Sequence, residues 1–119
     1  ETITSSSFSA AHKENDATTY LAYDTNYDLA QGTGFQTICS ETSNDSDSGV
    51  SGTLHLFNPS DTTFVKHFIA RSNNAHSFPR SEDWYIAGYF NTTSAIDEIQ
   101  FKFSSGNIDS GTIKLYGVT

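Results

Sequence analysis

The sequence predicts an all-β domain, an antiparallel β-sandwich or jelly roll with little or no helix. Short stretches of alternating apolar and polar residues recur along the chain, separated by turn residues at about the 8–12-residue spacing of sandwich strands. No stretch carries the i, i+3, i+4, i+7 apolar spacing of an amphipathic helix. Only 17% of the residues are charged, and serine and threonine make up roughly a quarter, which suits strands with hydroxyl-covered outer faces.

The length of 119 residues is enough for one domain, so residues 1–119 are interpreted as a single β domain. The chain starts at Glu1 and contains no methionine. We therefore expect a processed product or a C-terminal fragment of a longer protein. A single cysteine, Cys39, allows no internal disulfide, and its place in a strand-like stretch predicts a small buried side chain.

The first forty residues show the least regular strand patterns. Residues 5–12 form a short hydroxyl-rich stretch. Strands are predicted over 20–23 and 35–39, and a loop or short helical turn over 24–34. Polar residues over 41–51 predict a further loop.

A clearer strand is predicted over 52–57, with Leu54 and Leu56 facing inward and Thr53 and His55 facing outward. The Asn-Pro sequence that follows predicts a turn.

Two more strands are predicted over 64–70 and 84–90, joined by a long polar loop over 71–80. In the second of these strands, Gly88 indicates either a bulge or a close approach of two backbones.

The last quarter alternates most regularly and predicts strands over 95–103 and 112–118, with turn residues between them. The predicted core takes the inward side chains of these strands and of 52–57: Leu54, Leu56, Ile99, Phe101, Phe103, Ile113 and Leu115.

The formal charge of −8, from 6 basic and 14 acidic residues, argues against several partners. A nucleic-acid binder needs lysine and arginine to neutralise phosphates, and binding to an anionic membrane surface needs the same residues. No run approaches the ~18 apolar residues of a membrane span. We therefore expect neither nucleic acid nor membrane insertion.

Four histidines raise the question of a metal site, but His12, His55, His67 and His76 match no zinc spacing. His55 and His67 fall on neighbouring predicted strands and could lie close together. Surface or rim positions are the favoured interpretation, and a histidine ring around an oligomer axis stays open as the alternative.

Acidic residues two apart, Asp45 and Asp47, resemble the opening of a calcium loop, and Glu41 could lend a further oxygen. Gly49 comes too early for the standard loop, and no glutamate follows at the required distance. A solvated acidic loop is favoured over calcium, and no cofactor is expected.

No catalytic residues are predicted, and the chain is not expected to be an enzyme. None of the serines lies in a G-x-S-x-G nucleophile elbow. Acids such as Glu82, Asp83, Asp97 and Glu98 carry no pattern that pairs them across a cleft.

Aromatic residues offer the best candidates for binding. On one predicted strand Trp84 shares a face with Ile86, whereas Tyr85 shares the other with Tyr89; one set is expected in the core and the other in a sugar-stacking platform or a subunit interface. The interface is favoured. The predicted interface and binding residues are Trp84, Tyr85, Tyr89, Tyr116, His55 and His67.

The C-terminal stretch 95–118 resembles the ending of a group of tailed-bacteriophage virion structural proteins that is frequent in marine phages. The resemblance lies in S-S-G-N at 104–107, S-G-T at 110–112 and L-Y-G at 115–117. The stretch G-T-L-H-L-F-N-P at 52–59 is similar to an upstream strand of the same group. Together the matches cover about the second half of the chain.

The resemblance implies a β-sandwich located on the virion, as a capsid decoration (cement) protein or a fibre component. Members of the group usually begin with further strands, which a separate piece or a neighbouring subunit would supply here. The implied partners are further copies of the chain, with a trimer suiting either location, and other virion proteins such as the major capsid or a tail protein. A carbohydrate- or host-receptor-binding module of a tail or fibre is the alternative, with a host-surface glycan as ligand.

Overall fold

The computed structural model describes residues 1–119 and contains five strands and no helix. The strands are β1 (Ile3–Lys13), β2 (Thr19–Tyr23), β3 (Val50–Leu56), β4 (Lys66–Ala75) and β5 (Arg80–Phe90). The prediction of an all-β chain with antiparallel strands is confirmed.

All five strands form one antiparallel sheet in the order β2-β1-β5-β4-β3. β5 lies at the centre and pairs along its whole length with β1, from Ile3 opposite Phe90 to Lys13 opposite Arg80. On its other side it forms a hairpin with β4. The chain forms no second sheet, so the sandwich stays a prediction.

The two faces of the sheet differ sharply, and we call them the covered face and the open face. The covered face holds the core, in which Phe68, Trp84 and Ile86 are each no more than 3% exposed. Side chains of the long β2–β3 connection pack against it, among them those of Leu29 and Ile38. The open face has no such layer, and along β4 its residues are exposed one after another.

The β2–β3 connection, residues 24–49, covers the sheet without forming a strand of its own. Polar side chains of the covered face hold it: Ser72 Oγ donates to the Ile38 carbonyl at 2.5 Å and Asn74 Nδ2 to the Ser40 carbonyl at 3.1 Å. Because these side chains satisfy two of the loop's carbonyls, this part of the loop packs on the sheet without a strand ladder. The predicted strand over 35–39 is therefore wrong.

The same polar side chains explain why the predicted loop over 71–80 is also wrong. β4 continues to Ala75 and β5 begins at Arg80, which leaves a turn over residues 76–79. The inward residues of this end, Ser72 and Asn74, are buried but polar. A strand with polar residues on both faces lacks the apolar alternation by which strands are recognised.

Gly88 marks a close approach of backbones, as predicted, within an unbroken ladder. It pairs with Ser5 of β1 and with Phe68 of β4. A Cβ added there would collide with the carbonyl oxygen of Thr4 and lie 2.8 Å from the Cβ of Ser5.

Residues 91–119 form no strand, which makes the predicted strands over 95–103 and 112–118 wrong. The start of this segment is tied to the sheet: the Lys66 ammonium donates to the Thr92 carbonyl at 3.2 Å, and the Ile96 N–H donates to the Pro59 carbonyl at 2.7 Å. We call residues 97–119, which follow this anchor, the arm.

The predicted core is accordingly wrong for the arm and right for β3. Leu54 and Leu56 are half-buried against the core, and Thr53 and His55 face outward as predicted. Phe101 is half-buried, but the remaining predicted core residues of the arm are exposed, from 43% to 92%: Ile99, Phe103, Ile113 and Leu115. No strand of the chain pairs with the arm to cover them.

The arm also shapes the whole molecule. The radius of gyration is 15.4 Å, whereas about 13.5 Å is typical of a compact domain of this length.

No helix is present that is long and apolar enough to cross a membrane.

Candidate binding surface

The open face of the sheet carries an aromatic and aliphatic surface across β1, β5 and β4. Phe8 of β1 stacks on Tyr85 of β5, with ring centroids 4.7 Å apart and planes within 5°. Ile69 of β4, which is 52% exposed, pairs with Ala87 of β5 in the ladder. We call Phe8, Ile69, Tyr85, Ala87 and Tyr89 the open-face patch.

An ion pair between Arg71 and Asp83 borders this patch, and its two charges neutralise each other. The Arg71 guanidinium donates to both carboxylate oxygens of Asp83, at 2.8 and 3.3 Å, and lies 4.8 Å from the centre of the Tyr85 ring. The hydrogen bond from Arg71 holds the pKa of Asp83 below its usual value. The Tyr85 hydroxyl donates to Asp83 as well, so the pair presents little net charge to a partner.

A shallow groove lies at the β3–β4 side of the patch. Its lining includes Phe57, His67, Ile69 and Tyr89. The His67 and Tyr89 rings face each other across the ladder with centroids 6.1 Å apart. An open groove of this composition suits a flat apolar or sugar-ring surface.

The predicted binding residues divide between three places. Tyr85, Tyr89, His55 and His67 lie on the open face. His55 is opposite Ile69, which makes it a diagonal neighbour of His67.

Two of the predicted binding residues lie elsewhere. Tyr116 lies on the arm and is 75% exposed. Trp84 is 2% exposed and packs edge-on against Tyr27 at 5.2 Å, so its prediction as an interface residue is corrected: it belongs to the core. It faces inward because strand residues alternate, and Tyr85 takes the outward position.

The three calcium candidates are not brought together. Asp45 and Asp47 lie exposed in the loop, whereas Glu41 turns toward His76. No group of three or more histidine, cysteine, aspartate or glutamate side chains is arranged to hold a metal ion.

A buried polar cluster occupies the opposite end of the covered face. Glu82 is 3% exposed, and its carboxylate accepts hydrogen bonds from Tyr20 at 2.7 Å, Ser9 at 3.3 Å and Arg80 at 3.3 Å. Burial and the hydrogen bond to Glu82 raise the pKa of Tyr20 to about 12.

His76 joins this cluster to the covering loop. The Phe78 backbone N–H donates to Nδ1 of His76 at 2.9 Å, and Nε2 on the other side of the ring contacts the Glu41 carboxylate. The Arg80 guanidinium lies 2.7 Å from the same Nε2. A cation placed there would meet this guanidinium, and the contacts of His76 and Arg80 with Glu41 join the covering loop to the β4–β5 hairpin.

Cys39 belongs to the same loop and lies half-buried against the core. Burial raises the pKa of its thiol, so the group stays protonated at neutral pH and is a poor nucleophile.

Sequence reasoning missed Phe8 and Ile69, which form much of the open-face patch. Phe8 is the one large apolar residue in the S-S-S-F-S-A-A-H stretch, and it lies on the face opposite Ile3. The sequence gives no distinct signal for it, because single exposed apolar residues are common on protein surfaces and both faces of this stretch carry serine.

Comparison with known protein families, curated proteins and solved structures finds no match for this chain.

Proposed function

We propose that this chain is a structural subunit of a bacteriophage virion, a capsid decoration or fibre component, which acts by self-association and docking rather than by catalysis. The observation that carries the self-association is the large accessible surface of the chain.

Folded monomers of 13.0 kDa expose about 6,300 Å². This chain exposes 8500 Å², an excess of about 2,200 Å² over that expectation. Stable protein interfaces cover roughly 800 Å² per partner, and obligate ones more. The excess therefore has the size of the surface that a permanent partner covers.

The exposed side chains point the same way. Sixteen large hydrophobic residues are exposed, against six buried hydrophobic ones. They concentrate on the open face and on the arm, and large exposed apolar areas of this kind mark interaction sites. The Arg71–Asp83 pair beside the patch is already neutralised, so the net charge of −8 does not stand in the way of two copies meeting there.

The virion location is supported by the C-terminal resemblance alone. The motifs that carry it, at 104–107, 110–112 and 115–117, all lie on the arm. The other virion proteins to be contacted would be the major capsid or a tail protein. Antibodies against the purified chain test this location: they should label particles that band at virion density, and labelling confined to the particle-free fraction would contradict it.

The open-face patch is tested by placing a charge in its middle. Ile69→Lys should lower the mass of the assembly measured by light scattering, because a lysine cannot be buried in an apolar contact without loss of its hydration. Thr62→Lys, which adds the same charge in an exposed turn, is the matched control and should leave the mass unchanged. Equal masses for both variants would exclude the patch from the interface.

A second candidate, a carbohydrate- or host-receptor-binding module, is favoured by the aromatic groove beside His67 and Tyr89. A glycan array would show binding that Tyr89→Ala abolishes. Because Asp45 and Asp47 hold no arranged site with Glu41, a chelator should not affect that binding. If no glycan on the array binds, the carbohydrate-binding function is excluded and the structural role remains.

A further inference from the structure

We propose that residues 112–118 of the arm add as a strand to the free edge of β3 in a second copy of the chain. The proposal deepens the self-association proposed above and rests on it.

The arm is a strand sequence without a strand partner. Residues 97–119 make no backbone hydrogen bond, and the last one along the chain is that of Ile96. Within 112–118 the apolar side chains are among the most exposed in the molecule: Ile113 65%, Leu115 92%, Tyr116 75% and Val118 93%. Backbone groups and side chains of this kind are stabilised together when the segment joins a sheet.

β3 offers an edge of matching kind. It pairs with β4 on one side only, and no hydrogen bond outside that ladder reaches it. Phe57 N–H donates to the His67 carbonyl, so by alternation the N–H groups of Leu54 and Leu56 point outward, away from β4.

The composition of β3 also leaves this edge unprotected. Edge strands of natural sheets often carry charged residues or proline, which prevent pairing with another chain. The β3 sequence V-S-G-T-L-H-L contains neither. An unguarded edge is expected where a partner strand covers it.

The two segments also match in length and pattern. Residues 112–118 and the strand Val50–Leu56 are each seven residues long. Placed beside β3, Ile113 and Leu115 would continue the half-buried row of Leu54 and Leu56 on the covered face. Lys114 and Tyr116 would then lie on the open face with His55, where charged and polar groups reach water. β2, the other edge, has only five residues.

The area argument favours a second copy as the partner. An arm of about 2.5 kDa exposes up to about 3,600 Å² when extended. Covering one third of it reaches the roughly 1,200 Å² at which specific interfaces begin. A reciprocal exchange between two copies doubles this area, and every copy carries both the strand and the edge.

Cysteine pairing tests the contact directly. In a Cys39→Ala background, one sample carries His55→Cys and the other carries Thr112→Cys, Lys114→Cys or Tyr116→Cys. The two samples are unfolded in urea, mixed, refolded together and oxidised. They should then give a disulfide-linked dimer at one of the three positions, because paired strands bring Cα atoms within the ~4.4–6.8 Å a disulfide needs. Asp109→Cys, outside the proposed strand, is the control and should not cross-link.

Two outcomes would overturn the strand addition. One is an internal disulfide in a chain carrying both cysteines with no cross-link in the mixture, since the arm would then dock on its own β3. The other is the absence of any cross-link at all three positions.

A second variant keeps the two proposals apart. Leu115→Asp should lower the solution mass, whereas Ile108→Asp, outside the strand, should leave it unchanged. If Leu115→Asp has the same mass as the unmodified assembly, the self-association stands and the strand addition fails. If the unmodified chain never assembles, both fail.

Discussion

The carboxylate of Glu82 shows how single residues hold the covering loop to the sheet. An unpaired buried carboxylate costs several kcal/mol, but this one has donors from Tyr20, Ser9 and Arg80. Its partners come from β2, β1 and the start of β5, and His76 extends the cluster to Glu41 of the loop. The cluster therefore joins strands and loop in one place.

Tyr20→Phe removes one of these donors while it keeps the ring. We expect a loss of about 1–3 kcal/mol in the free energy of unfolding at pH 7, because a buried acceptor loses a partner. Tyr23→Phe, which loses an exposed bond to Asp28, should cost less stability than Tyr20→Phe because water replaces the lost partner. Urea unfolding of the three proteins measures both values, and equal losses would contradict this role of Tyr20.

The raised pKa of Tyr20 leads us to expect that the folded state loses stability at alkaline pH. The pKa of Tyr20 is about 12 in the folded chain against 10.0 for the free side chain, so the unfolded state releases its proton first. The contribution of Tyr20 is therefore fully present below pH 10 and is lost as the pH rises toward 12. The Tyr20→Phe variant should lack this part of the alkaline loss, and an identical decline in both proteins would contradict the assignment.

Among the strands, β5 depends on Gly88 for its close fit between β1 and β4. Gly88→Ala should lower the free energy of unfolding by about 1–3 kcal/mol, because the new methyl group meets backbone and Ser5 rather than a flexible side chain. Gly34→Ala, at a glycine with open space around it, should change stability by no more than about 0.5 kcal/mol. Thermal or urea unfolding distinguishes them, and a neutral Gly88→Ala would show that the strands separate easily.

Strand prediction succeeded where one face is apolar and failed where packing is polar or absent. Alternation located β3 and its inward leucines, and β2 within one residue. It missed the half of β4 whose inward face is Ser72 and Asn74, since loop carbonyls replace apolar contacts there. It also predicted strands in the arm, because a pattern records what a segment can pair with and not whether the partner is present.

At the scale of the whole molecule, one sheet with one covered face cannot bury the apolar residues the chain contains. Of the 119 residues, 13 are buried. Sequence alone predicted Tyr85, Tyr89, His55 and His67 as binding residues, and the structure places them on the open face. It could not predict that Trp84 faces inward, because alternation defines two faces without saying which one is covered.

The solution mass of the unmodified chain, measured by light scattering over a wide concentration range, tests the central claim of self-association most directly. The account predicts a defined multiple of 13.0 kDa that persists on dilution, because open face and arm are both covered. A stable species of one chain mass at every concentration would contradict it.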